Sequence, residues 1–338
     1  MGNSLEGKVA IVTGSGQGVG RGIAIFLARE GAKVVTNNRK PKTNDTITVN
    51  ESFKSIGLKG NAEFDLEEEK KIMKMRGDAE STASEIRLEG GKATAFYGDV
   101  SDYEVAGKLV QTAIDTYGRL DIVINNAAGL GFGPFVQTTE SDWDYQTQTK
   151  LKGAYNLMSH AVPVMIKQGY GRILNSASDA WTGIANLSAY SAANAGIVGL
   201  TKATAKELDR FGITVNAYCP QAASPGHMSF NATLKTMMEE NGIKADPNDK
   251  RVETSEKEHG PAENLAPFLA YLCTVNAKYV NGAVFTVTGG GRISLYAEPI
   301  ITNEIRKDME PWSVEELIDQ VPRTLLKDYT SIASQREF

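Results

Sequence analysis

The sequence predicts an α/β protein built on a doubly wound parallel sheet with helices on both faces. Three observations carry this. Short runs of β-branched residues recur along most of the chain, as buried parallel strands do. Each is followed by a stretch of helical periodicity. A glycine-rich turn joins the first run to the first helical stretch, which marks a strand–turn–helix unit.

"KVAIVTG" at 8–14 reads as the first strand. "GRGIAIFLAREGA" then places Ile23, Phe26 and Leu27 on one helical stripe and stops at Gly31, and "AKVVTNN" is the second strand. Residues 40–75 break the rhythm with Pro, Asn, Gly and charge blocks and read as an insertion. Alternation returns with a helix in "GDAESTASEIRLEGG" and a strand in "KATAFYGDV". A helix at 101–117, the strand "LDIVINNAAG" and a helix around 141–167 come next. The strand "GRILNSAS", a long helix at 188–209 and the strand "ITVNAYCP" continue the pattern. A polar segment at 221–260, with a short helix expected at 231–241, leads to the helical "AENLAPFLAYLCT" and the strand "GAVFTVTGGG". The expected organisation is one domain over 1–291 and a C-terminal extension over 292–338, where Ser313 and Glu316 read as a capped helix start.

Composition narrows the function. The 338 residues carry a formal charge of −5, and the basic run "KKIMKMR" is interleaved with acids, so nucleic acid is not an expected partner. No apolar run reaches transmembrane length, so no membrane association is expected. Cys219 and Cys273 lie far apart without metal-ligand spacing, which points to a reducing, cytoplasmic setting. His160, His227 and His259 are scattered, and no metal site is expected.

In "VTGSGQGVGRG", glycines at 14, 18 and 20 let backbone N–H groups approach a pyrophosphate at a helix N-terminus, although tight turns also need glycine. At the end of the second strand, an acid would grip ribose hydroxyls. Asn38 and Arg39 stand there instead. The missing carboxylate and the adjacent guanidinium lean toward NADP over NAD, while Arg39 could equally open an exposed basic loop. Asp99 reads either as an adenine contact or as part of a helix cap with Ser101.

The order and spacing of Thr13-Gly14-x-x-x-Gly18-x-Gly20, "GDV" at 98–100, "NNAAG" at 125–129, "GRILNSAS" at 171–178 and Tyr190 resemble the short-chain dehydrogenases/reductases over roughly residues 5–290. The long excursion after the second strand, the "CPQA" segment and the tail resemble most the (3R)-hydroxyacyl-CoA dehydrogenase domains of type 2 peroxisomal multifunctional enzymes. The resemblance implies a Rossmann-type fold, a nicotinamide cofactor and hydride transfer between a ketone and a secondary alcohol. The implied substrate is a small molecule such as a 3-hydroxyacyl-CoA/3-oxoacyl-CoA pair or a related hydroxy compound. It also implies association into a homo-oligomer (dimer or tetramer) or a hetero-oligomer. It assigns the cofactor to Gly14, Ser15, Gln17, Gly18, Val19, Gly20, Asn38, Arg39, Asp99, Val100, Asn126, Ala127, Tyr190 and Asn194, and catalysis to Ser178 and Tyr190.

Two departures stand out. Reduction of a carbonyl needs a proton for its oxygen; a phenol of pKa about 10 can give it, but runs the reverse reaction poorly near neutrality unless a cation beside it favours the phenolate. The family places a lysine one helical turn after the tyrosine. Here Asn194 stands there, and an amide brings no net charge. The family also places an asparagine in a segment that here reads "TKLKG", so Lys150 occupies its position. The two changes look reciprocal. The expectation is that Lys150 supplies the charge near Tyr190 and that Asn194 takes over ribose or water bonding. One alternative is that Lys150 is a surface lysine like Lys152, and that the chain is a cofactor-binding but catalytically silent subunit of a larger dehydrogenase complex; another is redox activity with an unaided Tyr190, or chemistry other than hydride transfer.

Overall fold

The computed structural model describes residues 2–41, 70, 75–228, 259–307 and 310–332. Most of the expected insertion at 40–75 and the helix expected at 231–241 fall outside these residues.

Among the described residues the first unit, Met1–Tyr296, holds one eight-stranded sheet. Its strands are β1 (Val9–Thr13), β2 (Lys33–Asn38), β3 (Lys92–Tyr97), β4 (Ile122–Asn125), β5 (Gly171–Ser176), β6 (Ile213–Gln221), β7 (Val284–Thr288) and β8 (Ile293–Leu295), in the spatial order β3-β2-β1-β4-β5-β6-β7-β8. All neighbours are parallel except β7 and β8, which pair antiparallel with Val287 opposite Ile293. Crossovers run through α1 (Gly18–Arg29), α2 (Ala79–Leu88), α3 (Tyr103–Tyr117), α4 (Glu140–Thr147), α5 (Gly153–Gln168), α6 (Ser188–Leu208) and α7 (Ala266–Leu272).

The continuous apolar runs follow from burial on both faces. In β1, Ala10 and Val12 pack with Ile23 and Leu27 of α1 and Leu269 of α7, while Val9 and Ile11 pack with Leu109 of α3 and Leu157 of α5. Side chains alternate across a strand, so a strand sandwiched between two helix layers must be apolar at every position.

The sequence signal for one helix at 141–167 resolves into α4 and α5 joined by a π-helical turn, Gln148–Lys152. This wide turn leaves both Thr149 and Lys150 buried and Lys152 exposed. Single π turns are a recognised way to reorient side chains at functional sites.

Strand order reverses between β1 and β4, each starting from the middle of the sheet and running outward. In such sheets the crevice beyond the strands' carboxyl ends at the reversal is where ligands bind.

The second unit, Ala297–Phe338, contains α8 (Val314–Arg323). Ser313 and Glu316 form its reciprocal capping box, as the sequence signature predicts. No helix among the described residues is long and apolar enough to cross a membrane.

Candidate active site

A cavity of about 540 Å³ opens at the strand-order reversal, lined by the ends of β1, β2, β4, β5 and β6. Its floor is the turn between β1 and α1. Gly14 and Gly18 adopt left-handed backbone with φ of 61° and 52°, a region that favours glycine. At Gly20 a Cβ would run into the Gly14 carbonyl, so the absence of a side chain lets α1 seat against the turn. Gln17 forms the N-cap without a side-chain hydrogen bond, and no acid sits in the first turn of α1, so its amides are open to an anion. Gln17, Gly18 and Val19 line the cavity. Ser15 does not. It is fully buried, and its Oγ accepts from Asn37 N at 2.9 Å, which ties the turn to β2.

Asn38 and Arg39 line the cavity at the end of β2. Asn38 Oδ1 is a buried acceptor with no protein partner, as a position that receives a ligand hydroxyl would be. Arg39 lies over the Tyr145 ring, 5.6 Å from its centroid, and donates to its hydroxyl at 3.4 Å. Asp99 and Val100 line the wall beyond β3. Asp99 Oδ1 also accepts from Ser101 N at 2.9 Å, so the turn-cap role is real. Asn156 of α5 holds this loop by donating to the carbonyls of Val100 and Ser101 at 3.0 and 2.9 Å.

Asn126 and Ala127 follow β4. Their N–H groups both donate to Thr13 Oγ1 at 3.0 Å, and Asn126 Nδ2 donates to the carbonyls of Thr13 and Gly14 at 3.1 and 3.3 Å. These residues, open glycine amides and an orphaned acceptor, fit a dinucleotide.

On the opposite wall, β5 delivers Ser176, Ala177 and Ser178, and the second turn of packing comes from α6 with Tyr190. Ser178 Oγ accepts from Ala180 N at 3.3 Å. The Tyr190 phenol is pushed above its ordinary value by burial, against which hydrogen bonds from Ser178 and Asn194 pull it down. Asn194 is fully buried. Its Nδ2 donates to the Tyr190 carbonyl at 2.8 Å, and its Oδ1 has no partner.

Lys150 is no surface lysine. It is 3% exposed, and its Nζ donates to Ser176 Oγ at 3.3 Å and to the Ala177 carbonyl at 3.5 Å, one residue before Ser178. Burial lowers its ammonium from the ordinary lysine value to about 8, still above neutrality. A positive charge therefore lines the same cavity as Ser178 and Tyr190.

Several features were hidden from the sequence. His227 and His259 stack 3.5 Å apart at the cavity rim, and burial lowers His227 to about 4, where the neutral imidazole prevails. Neighbouring positions gave no hint, because the contact is tertiary. Thr13 was visible only as part of the glycine motif, yet its hydroxyl joins two strand ends. Trp181 packs edge-on against Tyr296 at 5.2 Å and does not line the cavity, and Trp143 of α4 is 42% exposed.

A glycine-cradled crevice at a strand-order reversal is the nucleotide-binding architecture of open α/β sheets, and Ser178, Tyr190 and Lys150 line that same cavity. The family model described as short chain dehydrogenase matches residues 52–234. The chain is 32% identical to the peroxisomal multifunctional enzyme type 2 of Mus musculus over 317 residues, 93% of this chain and 36% of that enzyme. It is 29% identical to the (2S)-[(R)-hydroxy(phenyl)methyl]succinyl-CoA dehydrogenase subunit of Thauera aromatica over 286 residues, 85% of this chain and 97% of that one. A crystal structure of a short chain dehydrogenase from Mycobacterium avium superposes with a TM-score of 0.72 at 29% identity, covering 97% of this chain and 98% of that one. The chain belongs to the short-chain dehydrogenase/reductase family, and is an enzyme of the NAD(P)-dependent oxidoreductase class.

Proposed function

We propose that this enzyme interconverts a ketone and a secondary alcohol, with a 3-oxoacyl-CoA/3-hydroxyacyl-CoA pair or a related hydroxy compound as substrate. The observation that carries the reading is the buried Lys150 ammonium on the wall that presents Ser178 and Tyr190. Ser178 Oγ and Tyr190 Oη hold the substrate oxygen between them, and Tyr190 gives or takes its proton. Lys150 supplies the charge that the family draws from the helix of the tyrosine. It does so through the Ser176–Ala177 segment, which fixes Ser178. Asn194 takes the lysine's place on α6, and its free Oδ1 is available to a ribose hydroxyl or a water. A nicotinamide dinucleotide held over Gly14–Gly20 and Asn126–Ala127 supplies the hydride.

Arg39, with no carboxylate at position 38, favours NADP over NAD. Leu130, Ile184 and Leu187 give the substrate end an apolar wall. The CoA assignment draws on likeness to the Thauera succinyl-CoA dehydrogenase subunit. Buried free thiols at Cys219 and Cys273 fit a reducing cytoplasmic setting. Fluorescence titration with NADH and NADPH, followed by turnover on a panel of 3-oxoacyl-CoA thioesters, tests the whole. Tight cofactor binding without turnover on any carbonyl would instead identify a silent subunit, a reading that Asn194 in the lysine position keeps in view.

A further inference from the structure

We propose that Asp179 is a positioning residue: its carboxylate, gripped from three strands, anchors the turn that starts at Ser178 and sets a fixed negative charge against Tyr190, keeping the phenol a proton donor and so suiting the enzyme to carbonyl reduction. The inference rests on the dehydrogenase reading above and concerns a residue that none of the site motifs includes.

The geometry is specific. Asp179 opens the short 3-10 turn Asp179–Thr182, whose N-cap is Ser178. Its Oδ1 accepts from Thr286 Oγ1 of β7 at 2.6 Å and from Tyr296 Oη, just past β8, also at 2.6 Å. Its Oδ2 accepts from Gln221 Nε2 at the end of β6 at 2.5 Å. Bonds this short to an ionised acceptor are the strong kind. They tie the loop after β5 to the three strands at the far side of the sheet. A loop held this way presents Ser178 Oγ in one place, which a single hydrogen bond from Ala180 N would not secure.

The carboxylate lines the same cavity as the phenol. The ionisable groups that face it are Tyr190 from α6, Cys219 from β6 and Tyr296. Lys150, from the π turn, acts on Cys219 as well, and Arg292 Nη2 donates to Gln221 Oε1 at 3.4 Å. Burial raises the Cys219 thiol, and the Asp179 charge raises it further. The thiol proton therefore stays in place, and Cys219 adds no charge of its own beside the carboxylate. That anion opposes ionisation of Tyr190, in the same sense as burial and against the hydrogen bonds from Ser178 and Asn194. In reduction the proton would leave Tyr190 Oη for the carbonyl oxygen, and a bound reduced nicotinamide would supply the hydride to the carbon. A phenol held neutral is the form that this direction requires.

The test compares Asp179→Asn, Tyr296→Phe and the natural protein by two readouts. One is the pH profile of turnover with a 3-oxoacyl-CoA thioester and its alcohol. The other is fluorine NMR of fluorotyrosine in place of Tyr190, which follows ionisation without turnover. Asp179→Asn keeps the shape and one acceptor oxygen, which can still take the Gln221 amide while the Thr286 and Tyr296 hydroxyls turn to accept from its NH2, and it loses the charge. The phenol midpoint should fall by about half a unit or more, with alcohol oxidation gaining at neutral pH. Tyr296→Phe removes a donor from the carboxylate, leaving its charge less satisfied, and should move the midpoint upward. A residue that merely braces the fold would move neither. An unchanged or raised midpoint in Asp179→Asn overturns the proposal. If that variant fails to fold, an unmoved midpoint in Tyr296→Phe does the same. Should the natural protein turn over no carbonyl while both midpoints move as expected, the dehydrogenase reading and the reductive role fail, and only the hold of Asp179 on the Tyr190 phenol stands.

Discussion

Replacing Lys150 by Met separates the charge from the packing. The two side chains have similar length and volume, and Lys150 is buried, so its packing is largely conserved. Burial lowers the ammonium from 10.5 to about 8, a penalty of about 3 kcal/mol at about 1.36 kcal/mol per unit. Against it stand hydrogen bonds to Ser176 Oγ and the Ala177 carbonyl, each worth about 1.5–3 kcal/mol for a charged donor. The two sums nearly cancel, so Lys150→Met should fold with a stability within about 2 kcal/mol of the natural protein. Activity should respond far more. An opposite charge nearby moves a titrating group by about 1–3 units. Without it, alcohol oxidation at neutral pH should fall between about tenfold and a thousandfold. The rising limb of the pH profile should move upward by the same interval, so that alkaline buffer restores much of the rate. Steady-state oxidation from pH 6 to pH 10, with thermal melts alongside, reads both quantities. A folded variant with the natural rate and profile would refute the idea that Lys150 replaces the family's lysine.

The same residue makes a linkage prediction. Lys150 has a folded value below its unfolded one, so between about pH 8 and 10.5 the unfolded chain binds the extra proton. Stability of the natural protein relative to Lys150→Met should therefore rise with pH across that window, by up to about 3 kcal/mol, and stay flat below it. Denaturant melts of the pair at several pH values check this. Gly20→Ala drives a methyl group into the Gly14 carbonyl and close to Asn126 Nδ2. It should destabilise the fold by about 1–3 kcal/mol and weaken dinucleotide binding at least about tenfold, measured by fluorescence titration. Arg39→Gln removes an exposed cation, so a modest effect is expected: NADPH affinity falls about fivefold while NADH affinity holds. Equal losses for both would remove Arg39 from the choice of cofactor.

The sheet was largely legible because burial on both faces leaves an unmistakable mark: β1 reads "VAIVT" with no polar interruption until Thr13. The glycine turn was legible for the related reason that left-handed backbone and close approach both demand a residue without Cβ. Strand β8 was not. It has three residues, two of them exposed, and owes its existence to pairing with β7. The proposed catalytic wall was legible in part. Family motifs pointed to Ser178 and Tyr190 although the step between them is one residue short of the usual one, and the exchange of Lys150 and Asn194 was visible as a pair of misplaced residue types. "TKLK" nevertheless has the composition of a solvated helix face, and only the π turn decides which of its lysines points inward. Asp179 was illegible altogether. Its partners Gln221, Thr286 and Tyr296 come from distant segments, and nothing local marks a carboxylate whose role is to be held.

The wide turn at Gln148–Lys152 has a genetic corollary. Removing a single codon there would let the chain tighten to regular α geometry, and each residue of such a helix turns the next by about 100°. The helix would persist and the protein would stay folded, yet the ammonium would swing out of the crevice. An indel inside regular secondary structure, normally read as a folding defect, would here present as a stable protein that still captures its nucleotide and oxidises alcohol only slowly at neutral pH.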